Sequence, residues 1–213
     1  MKLLSVLLLI CCLFCSISKS RADSIPASSR LAIQIAPLAL IDFYNGSCYK
    51  IGTAVRLTHS LLFSADFGSY FKHFSGIKNN RGFLADFRFK YRFPGKYSGI
   101  SLSYFYKQQA FDYADFLKPS GTPIVVHTQK YINCFSVNFE QDIPFLKHER
   151  AYLTFFGGFG VRFRNAISSL ISKHQFDLLQ EGGDSQSLYF VLIPGKNIWL
   201  NLNLGVRVGF YLF

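Results

Sequence analysis

Residues 82–93 read GFLADFRFKYRF. Phe83, Ala85, Phe87, Phe89, Tyr91 and Phe93 fall on one parity, and Asp86, Arg88, Lys90 and Arg92 on the other. Strict alternation at period two makes an extended strand with one apolar and one polar face. Those faces have two possible homes. A soluble lipocalin-like barrel buries the aromatic row and leaves the charges in water. A transmembrane barrel turns the aromatic row to lipid and the charges into its lumen. The rest of the chain decides between them.

The same alternation recurs, working outward, over 31–43, 47–57, 60–72, 97–110, 129–141, 150–164 and 198–213. Pro37 breaks the first of these, because proline cannot donate to a ladder. Each segment reaches the roughly 9–11 residues that a tilted spanning strand needs, and exceeds the roughly 5–6 of an ordinary globular strand. The connections at one end, 58–59, 94–96 and 142–149, are short. Those at the other end are 44–46 with its Asn45-Gly46 hairpin signal, 73–81, 111–128 and 165–197. Short turns at one end and longer loops at the other match an outer-membrane barrel. The expected fold is all-β, an eight-stranded antiparallel up-and-down transmembrane β-barrel. Aromatic residues make up 17% of the chain, including 24 Phe and 12 Tyr, which suits strands.

Met1 to Ala22 reads as a secretory signal peptide. Lys2 forms the positive region, 3–14 the apolar region, and Ser20-Arg21-Ala22 the small-x-small cleavage site. The apolar run is shorter than the roughly 20 residues of a spanning helix. The barrel domain is then 23–213. Losing Lys2, Lys19 and Arg21 lowers the formal net charge from +11 to +8. Cys11, Cys12 and Cys15 leave too, so Cys48 and Cys134 remain. Placed on opposite walls, they are too far apart for a disulfide and are expected as free, inward-facing thiols.

Several pieces are familiar as a set: Ala36-Pro37-Leu38-Ala39-Leu40-Ile41-Asp42, Gly82-Phe83, Leu102-Ser103-Tyr104-Phe105-Tyr106-Lys107 with Phe111-Asp112-Tyr113, the run Gly158 to Asn165, and Gly205, Gly209, Phe210 and Phe213 at the end. In order and spacing they resemble the small outer-membrane β-barrel proteins of Bacteroidetes that form a domain-of-unknown-function family. The resemblance covers about residues 30–213. It implies an outer-membrane location reached through the periplasm and supplies no catalytic residues. Phe213 resembles the terminal signal read by outer-membrane assembly machinery, although alternation gives it the inward parity.

No phosphate loop, zinc cluster or dinucleotide fingerprint occurs, so no cofactor or metal is expected. The histidines, His59, His73, His127, His148 and His174, all fall in expected turns or loops. His73 and Ser75 share a face in an extended segment, a spacing that resembles the pair in outer-membrane lipid A deacylases; a lipid A-modifying hydrolase is therefore one alternative, and a small channel another. Cations spread singly along strands do not make a nucleic-acid surface. Lys78 and Arg81 lie at the expected outer rim, near lipopolysaccharide phosphates. Lys50, Arg56, Asp66, Lys72, Asp86, Arg88, Lys90, Arg92, Lys107, Glu140, Arg162 and Arg207 carry the inward parity. Asp66, Asp86 and Glu140 should each be bridged there, with Arg88 and Arg162 as the forks and Tyr70, Asn138 and Asn203 accepting from surplus cations. Tyr113, Phe116 and Phe176 are the loop aromatics expected to touch partners. The leading expectation is a monomeric, non-enzymatic barrel that contacts outer-membrane lipid and lipopolysaccharide and presents surface loops for adhesion, ligand contact or envelope stability.

Overall fold

The computed structural model describes residues 31–37, 48–71, 77–117, 122–145, 150–169 and 194–212. These form β1 (Leu31–Ile35), β2 (Cys48–Arg56), β3 (Leu61–Tyr70), β4 (Ile77–Arg92), β5 (Ser98–Leu117), β6 (Thr122–Phe145), β7 (Ala151–Ser168) and β8 (Gly195–Leu212). Each strand pairs antiparallel with the next, and β8 closes on β1. The expected eight-stranded up-and-down barrel is the observed one.

The register fixes the shape. Leu31, Val55, Phe63, Phe89, Leu102, Val137, Phe159 and Leu202 are successive cross-strand partners from β1 round to β8. Leu31 itself pairs with Leu212 on β8, so the circuit returns offset by 212 − 202, a stagger of ten residues. With strands about 4.8 Å apart and rising about 3.3 Å per residue, that stagger tilts them by about 40° and sets a backbone radius of about 8 Å. Such a ring is filled by side chains.

The faces follow the parity. Phe89, Leu102, Val137, Phe159 and Leu202 are each more than half exposed, whereas Asp66, Asp86, Arg88 and Lys90 on the other parity are buried. The aromatic row faces out and the charges face in, opposite to a lipocalin-like barrel. At one end the turns are tight. Thr58 Oγ1 accepts from Leu61 N at 3.1 Å, and Phe93 N donates to Ser98 O at 2.9 Å across a turn whose Gly95 has φ 67°.

Several strands outrun their expected bounds. β4 starts at Ile77, through an irregularity between Lys78 and Arg81 with Asn79 at φ 53°. The segment 111–128 is not a loop: β5 and β6 continue as a paired hairpin to Leu117↔Thr122, leaving only 118–121 as the connection. The outward positions above Tyr106 are mixed, with Gln108, Ala110 and Asp112, so the strict apolar alternation stops while the ladder goes on. β6 likewise runs to Phe145 and carries Asp142, expected in a turn, into the sheet. Residues 1–22, the Asn45-Gly46 turn and Phe213 lie outside the described residues.

Two glycines on β8 make room for aromatic rings. Gly205 lies opposite Phe156 and Gly209 opposite Tyr152. A Cβ on Gly205 would come within 2.2 Å of Phe156 Cζ, and one on Gly209 within 2.1 Å of Tyr152 Cζ. The rings lie flat over the bare backbone, a device that restores side-chain cover to glycine in a sheet. Gly205→Val should displace the Phe156 ring and cost about 1–3 kcal/mol, the usual range for overpacking. Equilibrium urea unfolding of the refolded protein measures this, and Phe156→Ala in the same background should recover part of the loss by removing the clash.

Candidate functional site

The lumen holds one connected lattice of charge at its centre and turn end. Asp66 on β3 accepts from Gln34 Nε2 and from Arg207 Nε at 3.2 Å. Asp86 on β4 accepts from Lys50 Nζ at 2.5 Å, Arg88 Nη2 at 3.0 Å and Arg207 Nη2 at 3.4 Å. Glu140 on β6 accepts from Arg88 Nη1 at 3.1 Å and Ser101 Oγ at 2.6 Å, with Lys90 at 3.3 Å. Asp142 accepts from Lys90 at 2.6 Å, Arg92 at 2.8 Å and Thr154 Oγ1 at 2.7 Å. Arg88 and Arg207 each span two or more carboxylates, which a planar guanidinium does well. The Phe156 ring lies under both, 4.7 Å from Arg88 Cζ and 4.4 Å from Arg207 Cζ.

The sequence-derived set is brought together only in part. Lys50, Asp66, Asp86, Arg88, Lys90, Arg92, Glu140 and Arg207 join the lattice. Arg162 does not: it has no carboxylate partner among the described residues, and its Nε makes no hydrogen bond. It pairs across the sheet with Cys134 and Trp199, away from the acids, and Arg207 takes the hub position instead. Asn138 and Asn203 do not receive surplus cations either. They bond to Ser103 at 3.0 Å, to Ser136 at 2.6 Å and to each other at 3.3 Å. Asn201 joins them through Asn203. Lys72 lies outside the described residues.

Asp142, Gln34, Ser101 and Thr154 take part in the lattice without having been expected there. Asp142 was hidden by the Pro144 that follows it, which suggested a turn. Gln34 sits on β1, where alternation is imperfect. The inward parity of each, on an extended ladder, is the signal that could have found it.

Aromatic rings meet the surplus cations. Among the described residues, Lys50, Arg56, Arg88, Lys90, Arg92, Lys107, Lys130, Arg162, Arg164 and Arg207 face inward against the four acids already named. Lys107 Nζ lies 5.0 Å from the Tyr70 ring centre, Lys130 5.2 Å from Phe111, Arg164 5.7 Å from Trp199 and Arg56 5.8 Å from Tyr211. A cation over a ring gains about 0.5–2 kcal/mol, more where water is excluded. Phe111 and Lys130 belong here because β5 and β6 continue past their expected ends. Cys48 and Cys134 are buried thiols with no disulfide between them.

The loop end is different. Asp112 Oδ2 accepts from Asn79 Nδ2 at 2.6 Å, and its Oδ1 shares a 2.6 Å hydrogen bond with His127 Nδ1. The bond from Asn79, then that with His127, holds the Asp112 carboxyl below its ordinary range. Lys78 and Arg81 are exposed beside this cluster. Tyr113 and Phe116 stand on β5, opposite Val126 and Pro123, rather than in a loop. Phe176, His73 and Ser75 lie outside the described residues.

Three cavities divide the lumen along its axis. The mouth at the loop end, lined by the inward Tyr70, Asn80, Phe111, Thr128 and Ser168 and reaching Asp112 and His127 on the rim, has about 1010 Å³. The middle, between Lys50, Lys107 and Arg162, has about 370 Å³. At the turn end, among Gln34, Lys90, Asp142, Tyr152 and Tyr211, about 30 Å³ is left, room for about two waters. The lumen is a cup, wide above and packed below.

No family model, curated protein or solved structure matches the chain.

Removing an acid from the lattice strands its cations. Asp142→Ala leaves Lys90 and Arg92 without their shared acceptor, and should destabilise the fold by about 3–5 kcal/mol, the cost of breaking a buried pair. Asp112→Ala, at the exposed rim, should cost under about 1 kcal/mol. Urea titration of the two variants side by side checks the difference, and equal losses would remove the lattice from its structural role.

Proposed function

We propose that the protein is a monomeric, non-enzymatic outer-membrane β-barrel whose loop end is presented at the cell surface. The observation that carries this reading is the unbroken outward row Leu31, Val55, Phe63, Phe89, Leu102, Val137, Phe159 and Leu202, one residue from every strand. An apolar belt around a whole barrel far exceeds the few hundred Å² that a soluble monomer leaves in water. In lipid it costs nothing, and a closed sheet is one of the two backbones that can span a bilayer. Export through the periplasm and assembly by outer-membrane machinery go with that location.

The β5–β6 hairpin, which carries Gln108, Asp112 and His127 on its outer face above Tyr106, would stand clear of the membrane and carry Tyr113 and Phe116 toward partners. Lys78 and Arg81 would meet lipopolysaccharide phosphates. The packed turn end supports a plugged lumen over a channel, because among the described residues the lattice from Asp66 to Asp142 leaves a space of only about 30 Å³ there.

Cell fractionation tests the location. The protein should enter the outer-membrane fraction and migrate faster unboiled than boiled on a gel. A soluble, heat-insensitive protein would end this reading. Phe89→Arg should lose about 2–4 kcal/mol of stability in lipid vesicles, the range for a cation on the lipid face near mid-bilayer, while Ser103→Ala inside the lumen should lose less. Planar-bilayer recording should show no stable conductance; frequent, large, uniform openings from pure protein would favour the channel.

A further inference from the structure

Four cations surround the middle cavity: Lys50, Arg88, Lys107 and Arg162. Among the described lining residues Asp86 is the acid, and it is already shared among Lys50, Arg88 and Arg207. Arg162 lines the space without a carboxylate, and its Nε has no hydrogen-bond partner. One donor of that guanidinium, Nε, is buried and unbonded, a costly state, while the side chain as a whole is only partly buried and borders the cavity, where an acceptor from outside can meet it. Apolar side chains are interleaved with these cations: Leu84, Phe105, Ile132 and Phe156 line the same space, with Ile132 directly across the sheet from Lys107. At about 370 Å³ the space falls in the range of small-ligand sites. Tyr70 lines both this space and the wider cavity at the loop end, and Arg88 lines both this space and the small one at the turn end.

We propose that this cavity is a binding site for a small organic anion: one carboxylate or phosphate group joined to a short apolar body. The charged group bonds to Arg162 and Lys107. The apolar body rests against Phe105 and Ile132, where it displaces water from surface that water solvates poorly. An inorganic anion gains only the first of these contacts, and an apolar cation is repelled by the wall. The site is inside the barrel, so it holds whether lipid or detergent surrounds the outer face.

Isothermal titration of the refolded full-length barrel domain in detergent tests this with four probes: hexanoate, hexyl phosphate, inorganic phosphate and hexylammonium. Hexanoate or hexyl phosphate should bind saturably, at least about tenfold more tightly than inorganic phosphate, and hexylammonium should show no saturable binding. Comparing hexanoate with hexyl phosphate tells which anionic group the site takes. Arg162→Gln and Lys107→Gln should each weaken the organic anion by at least about tenfold, with the unboiled gel shift confirming that each variant is folded. Partition into micelles would be the same for every variant and for both signs of charge. Equal binding of hexylammonium, binding of inorganic phosphate as tight as that of the organic anions, or an affinity unchanged in both folded variants would overturn the proposal. So would the absence of saturation by any anion, a result the wild-type protein gives without recourse to variants.

Discussion

The Asp86 carboxylate is held by cations from three strands, Lys50 on β2, Arg88 on β4 and Arg207 on β8. The interior depends on that arrangement. Eight strands at the observed stagger leave a lumen that side chains must fill, and an unpaired charge in it costs several kcal/mol. Arg207 answers the problem by reaching Asp66, Asp86 and Glu140 at once, and Arg88 and Lys90 pass the chain on to Asp142. A lattice joining β2, β3, β4, β6 and β8 also fixes register. A slip of one residue on any of these strands would turn its charges outward and its aromatic residues in.

The balance of sign explains the rest of the filling. The inward cations outnumber the acids among the described residues, and the chain meets the difference with rings: Tyr70 for Lys107, Phe111 for Lys130, Trp199 for Arg164 and Tyr211 for Arg56. A ring takes up volume, excludes water and gives a cation a negative face without adding a second charge. The two glycines on β8 serve the same end, since without them Phe156 and Tyr152 could not lie flat against the wall. Small, aromatic and charged residues inside this barrel are thus parts of one packing solution.

Parity was the legible part. A run such as 82–93 states that one face is apolar and the other charged, and repetition of that pattern gives the number of strands and their direction. What parity does not give is height along the axis or position around it. Arg162 and Arg207 have the same inward parity, yet the stagger puts Arg207 among three acids and Arg162 beside Cys134 and Trp199. The strand ends were hidden for a second reason. Above Tyr106 polar side chains such as Gln108 and Asp112 interrupt the outward row, so the hydrophobic signal weakens there although the backbone ladder continues to Leu117. Asp142 was lost in the same way at the other end, where Pro144 gave the appearance of a turn within a strand that runs to Phe145.

A cation on a ring differs from a cation on a carboxylate in what it leaves available. An ion pair satisfies both members and cancels their field at a distance. A ring offers only a quadrupole, and the charge above it still projects a positive potential into the space beyond. The acids are gathered in the lattice at the centre and turn end, and the ring-held cations Lys107, Lys130 and Arg164 stand above it toward the mouth. Among the described residues, the acids are therefore concentrated where the lumen is packed, and basic residues predominate toward the mouth. Low-dielectric walls sharpen such a field within a cleft, so anions entering from the loop end are drawn toward Arg162 and cations are turned away. The placement of the rings, as much as the excess of basic residues, gives the cup its preference.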